Sequence, residues 1–376
     1  MSYLDVHIIQ NVPASNINRD DTGNPKVGHY GGKLRARVSS QSWKRAMREM
    51  FPTMLKSDEL GVRTKMAASL IAEAIGEKRP DLASDAATLA KAVLGSIGVE
   101  IKESKRSGAD AGRDATSYLI FIAHSEIQAL ADLAIQWADD GQPIGKPTKE
   151  MKAESQAAFH GKQAIDIALF GRMLADAPAL NTDASSQVAH AISVDQITPE
   201  YDYYTAIDDC ASKDNAGAAM LDTVGFNSST LYRYANVNID SLRKQLGDDA
   251  AAVQGIVAFV EAFVRSMPTG KQNTFANRTL PSVCVAMIRD DQPINAVNAF
   301  EKPVYPKDDA SITEQAAVRL GAHLRDLQDT YGETPERSWV MGVGDLADKV
   351  GDLGEAVTLP ELHDRLERYL TEMFEG

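Results

Sequence analysis

From Thr22 to Arg48 the chain carries no acid and seven bases: Lys26, Lys33, Arg35, Arg37, Lys44, Arg45 and Arg48. A basic run like this is either a solvated face or a strip that binds a polyanion. The spacing around Ser39–Arg48 favours the strip. Ser39-Ser40 offers an N-cap to a helix from about Gln41 to Met50, and a helix N-terminus presents unpaired N–H groups and a partial positive charge to an anion. Ser39 and Gln41 add neutral donors. Lys44, Arg45 and Arg48 follow one side, while Trp43, Ala46, Met47 and Met50 form the buried stripe. Gly31-Gly32 just upstream could let the backbone come close to a sugar-phosphate chain. The competing reading is an ordinary amphipathic helix.

A second feature is aromatic. Tyr201, Tyr203, Tyr204, Tyr232 and Tyr234 are five of the eleven tyrosines. Rings beside a basic strip can stack on bases. Strand packing is the simpler reading for Tyr232 and Tyr234, and Ala211–Gly225 suits a projecting hairpin.

Catalytic patterns are missing. Gly141-x-x-x-Gly145-Lys146 is one residue short of a phosphate loop, and Pro147 stands where Ser or Thr would hold magnesium. HExxH, GxSxG and GxGxxG do not occur, and the seven histidines never fall at ligand spacing. Asp208-Asp209 and Asp308-Asp309 could bind magnesium, although adjacent aspartates usually line turns. His29, inside the strip, could serve as general base of an RNA-cleaving site. No cofactor or metal is expected.

The 376 residues are 44% hydrophobic and 24% charged, an ordinary globular balance. The length suggests two domains, or one with large insertions. Cys210 and Cys284 alone exclude a disulfide framework and a thiolate zinc cluster. No signal peptide or membrane-length apolar run is seen, so a soluble, cytoplasmic protein is expected. The net charge of −14 argues against nucleic acid until the strip is set apart, and residues 301–376 hold 17 acids against 8 bases.

The pattern predicts a half-buried strand at Leu4–Ile8, a loop from Asn11 to Gly32, and the Gln41–Met50 helix. Helices follow near 63–76, 82–97, 125–139 (capped by Ser125-x-x-Gln128) and 148–172, with a flexible polar stretch at 102–116. Strands are expected at Val188–Val194, Thr230–Ile239, Val283–Ile288 and Ser338–Val343, with helices near 249–266, 311–330 and 358–373. The fold class is therefore α+β.

Asn18-Arg19-Asp20-Asp21 and Gly31-Gly32-Lys33-x-Arg35-x-Arg37-Val38-Ser39-Ser40-Gln41-Ser42-x-Lys44-Arg45-Ala46-Met47-Arg48 closely resemble the backbone (CasC-family) subunit of the type I-E CRISPR Cascade complex. Asp166-Ile167-Ala168-Leu169-x-Gly171-Arg172-Met173, Ala189-His190-Ala191-Ile192, Tyr232-Arg233-Tyr234-Ala235-Asn236-x-Asn238, Lys271-Gln272 and Asn298-Ala299-Phe300-Glu301-Lys302 extend the match in the family's order. The resemblance implies an RNA-recognition-motif-like (ferredoxin-like) palm with a large helical fingers insertion and a thumb hairpin. The palm would comprise 1–58, 183–194 and 231–376, the fingers 59–182 and the thumb 195–230. Several copies would polymerise along a CRISPR RNA, beside other Cascade subunits, and present its spacer to target DNA. A separate recruited nuclease would do the cutting, with no membrane involved.

By position, Asn18, Arg19, Lys26, Ser39, Gln41, Lys44, Arg45, Arg48, Lys271 and Gln272 would contact the RNA. Met173, Tyr203, Tyr204 and Thr205 would sit where a nucleotide is displaced, with Tyr204 in the wedge and Met173 beside it. Lys146, Lys149 and Lys152 are the candidates for target DNA, and the acidic C-terminal quarter is left structural work. The alternative is a metal-independent CRISPR RNA endoribonuclease of the same fold superfamily, centred on His29.

Overall fold

In the computed structural model, which describes residues 1–103, 114–142, 145, 147–161, 163–206 and 220–376, the Leu4–Ile8 alternation lies inside a longer strand, β1 (Tyr3–Ser15). The strand is not half-buried as expected. Asp5 and His7 are as buried as Leu4, Val6 and Ile8, because both faces of the sheet are covered. The alternation comes from a buried polar network, not from a wet face.

The expected loop from Asn11 to Gly32 is likewise shorter. Pro13 sits where the β1 register shifts, between Val12 and Ser15, which is how a strand accommodates a residue without an N–H. Beyond the 16–26 turn, β2 (Val27–Tyr30) and β3 (Lys33–Val38) form a hairpin. Its two-residue turn is Gly31-Gly32, with φ of 56° and 71°. Two positive φ values in a row favour glycine at both places. A Cβ on Gly31 would also collide with the Glu301 carbonyl oxygen. The close approach expected at Gly31 is thus made to the chain itself, while Gly32 faces open space.

The chain divides into two compact units, residues 1–50, 187–239 and 256–376, and residues 51–186 and 240–255. The first holds a mainly antiparallel sheet in the order Glu355–Ala356, Arg337–Gly342, Val283–Arg289, β1, Met220–Asn238, Ala191–Ser193, β3, β2. One face packs Ile9, Tyr232, Val283, Val285 and Met287 against Phe300 and the Ile312–Tyr331 helix. The other meets α1 (Ser40–Met50) through Trp43 and the Asp249–Arg265 helix through Phe263, with the Arg233 guanidinium lying over both rings. The second unit is a helical core of Ala67–Lys78, Ala86–Ser96, His124–Asp139 and Lys149–Phe159 around Leu89, Leu130, Trp137 and Phe159.

Several expected boundaries move. The 148–172 helix is two helices, Lys149–Phe159 and Ile165–Phe170, parted at Gly161. The Ser125 box is not used: the helix starts at His124, and Glu126 accepts the Ala123 N–H at 2.7 Å. The Val188–Val194 strand is two pieces, Ser186–Val188 and Ala191–Ser193, and an unforeseen helix spans Ile239–Leu246. The polar 102–116 stretch is bounded by a strand pair, Ile101–Glu103 with Asp114–Thr116; residues 104–113 lie outside the described residues. Thr358 caps its helix as expected, with Glu361 returning the bond. No helix among the described residues is long and apolar enough to cross a membrane.

The buried network on β1 ties the sheet together. Asp5 accepts from Tyr234 Oη at 2.7 Å, Arg289 Nε at 3.0 Å and the Ile294 N–H at 2.9 Å. His7 Nδ1 lies 2.9 Å from Tyr232 Oη. This bears out strand packing for both tyrosines. Burial, reinforced by the Arg289 charge, lowers His7 to about 3. The unfolded chain therefore takes up a proton near pH 6.5 that the folded chain refuses. The His7 contribution to stability is complete above pH 6.5 and is lost as pH falls toward 3. Chemical denaturation at pH 7 and pH 5 should show wild type losing about 2 kcal/mol relative to His7→Leu across that interval. A pH-independent difference between the two proteins would refute the assignment.

Candidate nucleic-acid interface

The strip is built around the turn between β1 and β2. Asp20 organises it: its Oδ1 accepts from the Thr22 N–H, Thr22 Oγ1 and the Asn24 N–H at 2.7–3.0 Å, and these bonds lower its pKa. Buried Asn16 donates to the Gly23 and Gly225 carbonyls, both at 2.9 Å. Asn18 then reaches the helix start, its Oδ1 accepting the Ser39 N–H at 2.8 Å. Gly270 presses a third segment onto the same place, since a Cβ there would lie 2.5 Å from the Ile17 carbonyl oxygen. Lys271 follows with φ of 50°, a left-handed conformation uncommon outside glycine.

These contacts enclose a cleft of about 610 Å³ lined by Asn18, Arg19, Arg45 and Lys271, with Asp20, Asp21 and Glu49 among them. Four of the expected RNA-contacting residues thus converge on one site from three separate stretches of sequence. Lys26 and Arg37 line a smaller hollow that adjoins it at Asn18. Gln41 is exposed on the first turn of α1, and Lys44 and Arg48 are half-buried farther along. The first turn holds no acid. Gln272 begins a four-residue helix directly after Lys271.

Three residues are placed differently from the expectation of an open basic face. Ser39 is buried, 5% exposed, and serves the helix start. Arg35, counted in the strip, is fully buried and donates to the Ser193, Phe300 and Glu301 carbonyls at 2.7, 2.9 and 3.2 Å. The strip has six accessible bases, not seven. Arg45 is exposed but already paired with Glu49 at 2.7 Å. Sequence reading missed Glu49, Thr269 and Gly270 as parts of the cleft; the i, i+4 spacing of Arg45 and Glu49 was the available signal for the first.

His29 is exposed on β2, opposite Leu34. Arg37 Nη1 lies 3.1 Å from His190 Nδ1, and burial together with the Arg37 and Lys26 charges lowers the pKa of that imidazole. Among the described residues no group of three or more His, Cys, Asp or Glu could hold a metal ion. Asp208-Asp209 lie outside the described residues.

The expected hairpin begins with Glu200–Ala206 paired antiparallel to the start of Met220–Asn238. Residues 207–219, including most of the Ala211–Gly225 segment, lie outside the described residues. Tyr201 and Tyr203 share one face and are both 63% exposed; Tyr204 is on the other, 37% exposed. Its phenol donates to Asp222 at 3.1 Å, directly across the pair, and that carboxylate raises its pKa. Thr205 pairs with Leu221.

Met173, Lys149 and Lys152 belong to the second unit. Arg172 is anchored there by Glu126 at 2.7 Å and lies 4.2 Å from the Phe159 ring centre. Its neighbour Met173 is turned outward, 78% exposed. Lys149 and Lys152 are exposed on a helix capped by Thr148; Lys146 lies outside the described residues.

The CT1975-like protein model matches residues 4–365.

The chain belongs to the CT1975-like family.

This CT1975-like chain is similar to a chain of a "CRISPR RNA-guided surveillance complex, pre-nicking", with 34% identity and a TM-score of 0.84 over 98% of this chain and 100% of that one. A chain of a second "CRISPR RNA-guided surveillance complex" is 29% identical, with a TM-score of 0.72 over 98% and 99%. The search of curated proteins gives no match.

The burial of Arg35 yields a stability test. Removing it strands three carbonyl groups, each costing about 1–3 kcal/mol when unsatisfied in the interior. Arg35→Met should lower the unfolding free energy by about 3 kcal/mol or more, whereas exposed Lys33→Met should stay within about 0.5 kcal/mol. Urea denaturation of both variants checks the contrast.

Proposed function

We propose that this chain is a non-enzymatic CRISPR RNA-binding backbone subunit of a type I-E Cascade complex. Copies line up along the spacer of the guide RNA and present it for pairing with target DNA, beside other subunits, in the cytoplasm. The observation that carries this reading is the convergence of Asn18, Arg19, Arg45 and Lys271 on one cleft, in a chain similar from end to end to one from a CRISPR RNA-guided surveillance complex. Phosphate is the chemistry the cleft suits: the cations Arg19, Arg45 and Lys271, the Asn18 amide and an acid-free helix start.

The sheet supports an RNA-recognition-motif-like palm, since Val283–Arg289 and Met220–Asn238 both pair antiparallel to a central β1. The hairpin carrying Tyr203 and Tyr204 is the thumb, and the second unit carries the fingers. Met173 and the thumb aromatics are the candidates for the displaced nucleotide, and Lys146, Lys149 and Lys152 those for the target strand. Cutting belongs to a separate nuclease.

Single-stranded RNA binding should show a log–log salt slope of about −3.5 if five phosphates are neutralised, at roughly −0.7 per contact. Replacing Arg19, Arg45 and Lys271 together with Glu should make that slope shallower by about 2 while circular dichroism stays unchanged. An unaltered slope would remove the cleft from the interface. Cleavage of the RNA without metal, lost in His29→Ala, would overturn the non-enzymatic reading.

Binding must also accept any spacer, because phosphates carry no base identity. RNAs of equal length and scrambled sequence should differ by less than about tenfold in affinity, or about 1.4 kcal/mol. A larger preference, measured by fluorescence anisotropy, would argue for base-edge readout instead.

A further inference from the structure

Among the described residues four arginines are buried, and they fall into two classes. Arg172 is neutralised by Glu126 at 2.7 Å and Arg289 by Asp5 at 3.0 Å. Arg35 and Arg233 form no ion pair among the described residues, although the Asp195 carboxylate acts on Arg35 from beyond contact distance. Arg35 is held by three carbonyls. Arg233 donates to Gln10 Oε1 at 2.6 Å and to the Phe263 carbonyl, and its Nε has no hydrogen-bond partner among the described residues. Its guanidinium lies 3.8 Å from the Trp43 ring centre and 4.6 Å from that of Phe263.

Taking a cation out of water without a counterion carries a large desolvation cost. Burial lowers Arg233 only to about 9, so it is charged at neutral pH. Cys284, the titratable group facing it, is pushed up to about 12 and stays a neutral thiol. The charge is therefore left uncompensated, and its place is specific: Trp43 belongs to α1, whose Ser42, Arg45 and Ala46 line the cleft.

The geometry points to Arg233 as a positioning residue of the RNA site, a buried cation whose field acts through α1 on the phosphates above it while its face holds Trp43. This rests on the RNA-binding reading of the cleft. A charge at this depth is poorly screened by salt and releases no counterion of its own. Its effect should therefore appear in affinity without appearing in the salt slope, unlike that of Arg19 or Lys271.

The experiment measures affinity of the intact protein for single-stranded RNA across salt concentrations, together with urea stability. Arg233→Met should bind roughly three- to tenfold more weakly at each salt concentration, with the wild-type slope, and should be less stable than wild type because Gln10 Oε1 and the Phe263 carbonyl lose their donor. Arg233→Lys adds a readout that packing alone would not move. A lysine buried there loses its charge as pH rises through the neutral range, so RNA affinity should fall from about pH 6 to about pH 8 while wild type stays level. Wild-type affinity in a folded Arg233→Met, or a Lys variant with no pH dependence beyond wild type, would overturn the proposal. If Arg233→Met does not fold, the Lys variant decides alone. Absence of RNA binding by the wild type would instead refute the reading of the cleft.

Discussion

The antiparallel ladder between β1 and Met220–Asn238 is the contact on which the first unit depends. It runs without a break from Tyr3 opposite Asn238 to Val12 opposite Ser229. Side chains alternate across a strand, so a slip of one residue would send each to the wrong face. In the observed register Arg233 stands opposite Ile8 and reaches under α1, while Tyr232 and Tyr234 take the other face with His7 and Asp5. The same ladder fixes what lies beyond its end. There the Asn16 amide joins Gly23 to Gly225, so the β1–β2 turn and the base of the hairpin are held by one side chain. The cleft and the hairpin are consequences of a single register.

Burial, not position along the sequence, divides the basic residues. Arg35 and Arg37 are two apart on β3 and share a face of the strand, yet Arg35 is enclosed by three carbonyls while Arg37 reaches the Val27 carbonyl and His190. Counting charges along the sequence gives both the same weight, although only one reaches the surface. Helical α1 does sort by period, and its stripe of Trp43, Ala46 and Met47 is buried while Gln41 and Arg45 are exposed.

Much of this was legible where a local rule operates. The α1 helix, the Thr358 cap, the Val283–Arg289 strand and the helices Ala67–Lys78, Ala86–Ser96, His124–Asp139 and Lys149–Phe159 follow from periodicity and capping. What escaped was decided by contacts distant in sequence. Asp5 and His7 look like a wet face until Tyr234, Arg289 and Tyr232 cover them. Gly31 looks like a ligand glycine until Glu301, far along the chain, occupies the space. Pro13 and Gly28 read as loop residues, but a bulge absorbs one and the hairpin the other. In the cleft, Arg19, Arg45 and Lys271 could be named from resemblance alone; that Gly270 brings Lys271 to the other two, by lying against Ile17, is visible only in three dimensions.

An acidic protein of net charge −14 can present a phosphate site because two of the three acids in the cleft, Asp20 and Glu49, are already engaged. Asp20 spends its carboxylate on the Thr22 and Asn24 amides, which hold the turn and lower its pKa. Glu49 is paired with Arg45. A phosphate arriving at Arg45 exchanges one charge-assisted hydrogen bond for another, a small net gain for an exposed pair. It also leaves Glu49 as a neighbour of like charge. Arg45 thus contributes less than its exposure suggests, and the cations without such a partner in the cleft wall, Arg19 and Lys271, contribute more. Arg19 is set by the turn and Lys271 by a left-handed backbone, so both owe their positions to the backbone and neither to an ion pair. The cleft keeps its shape when salt weakens its charges.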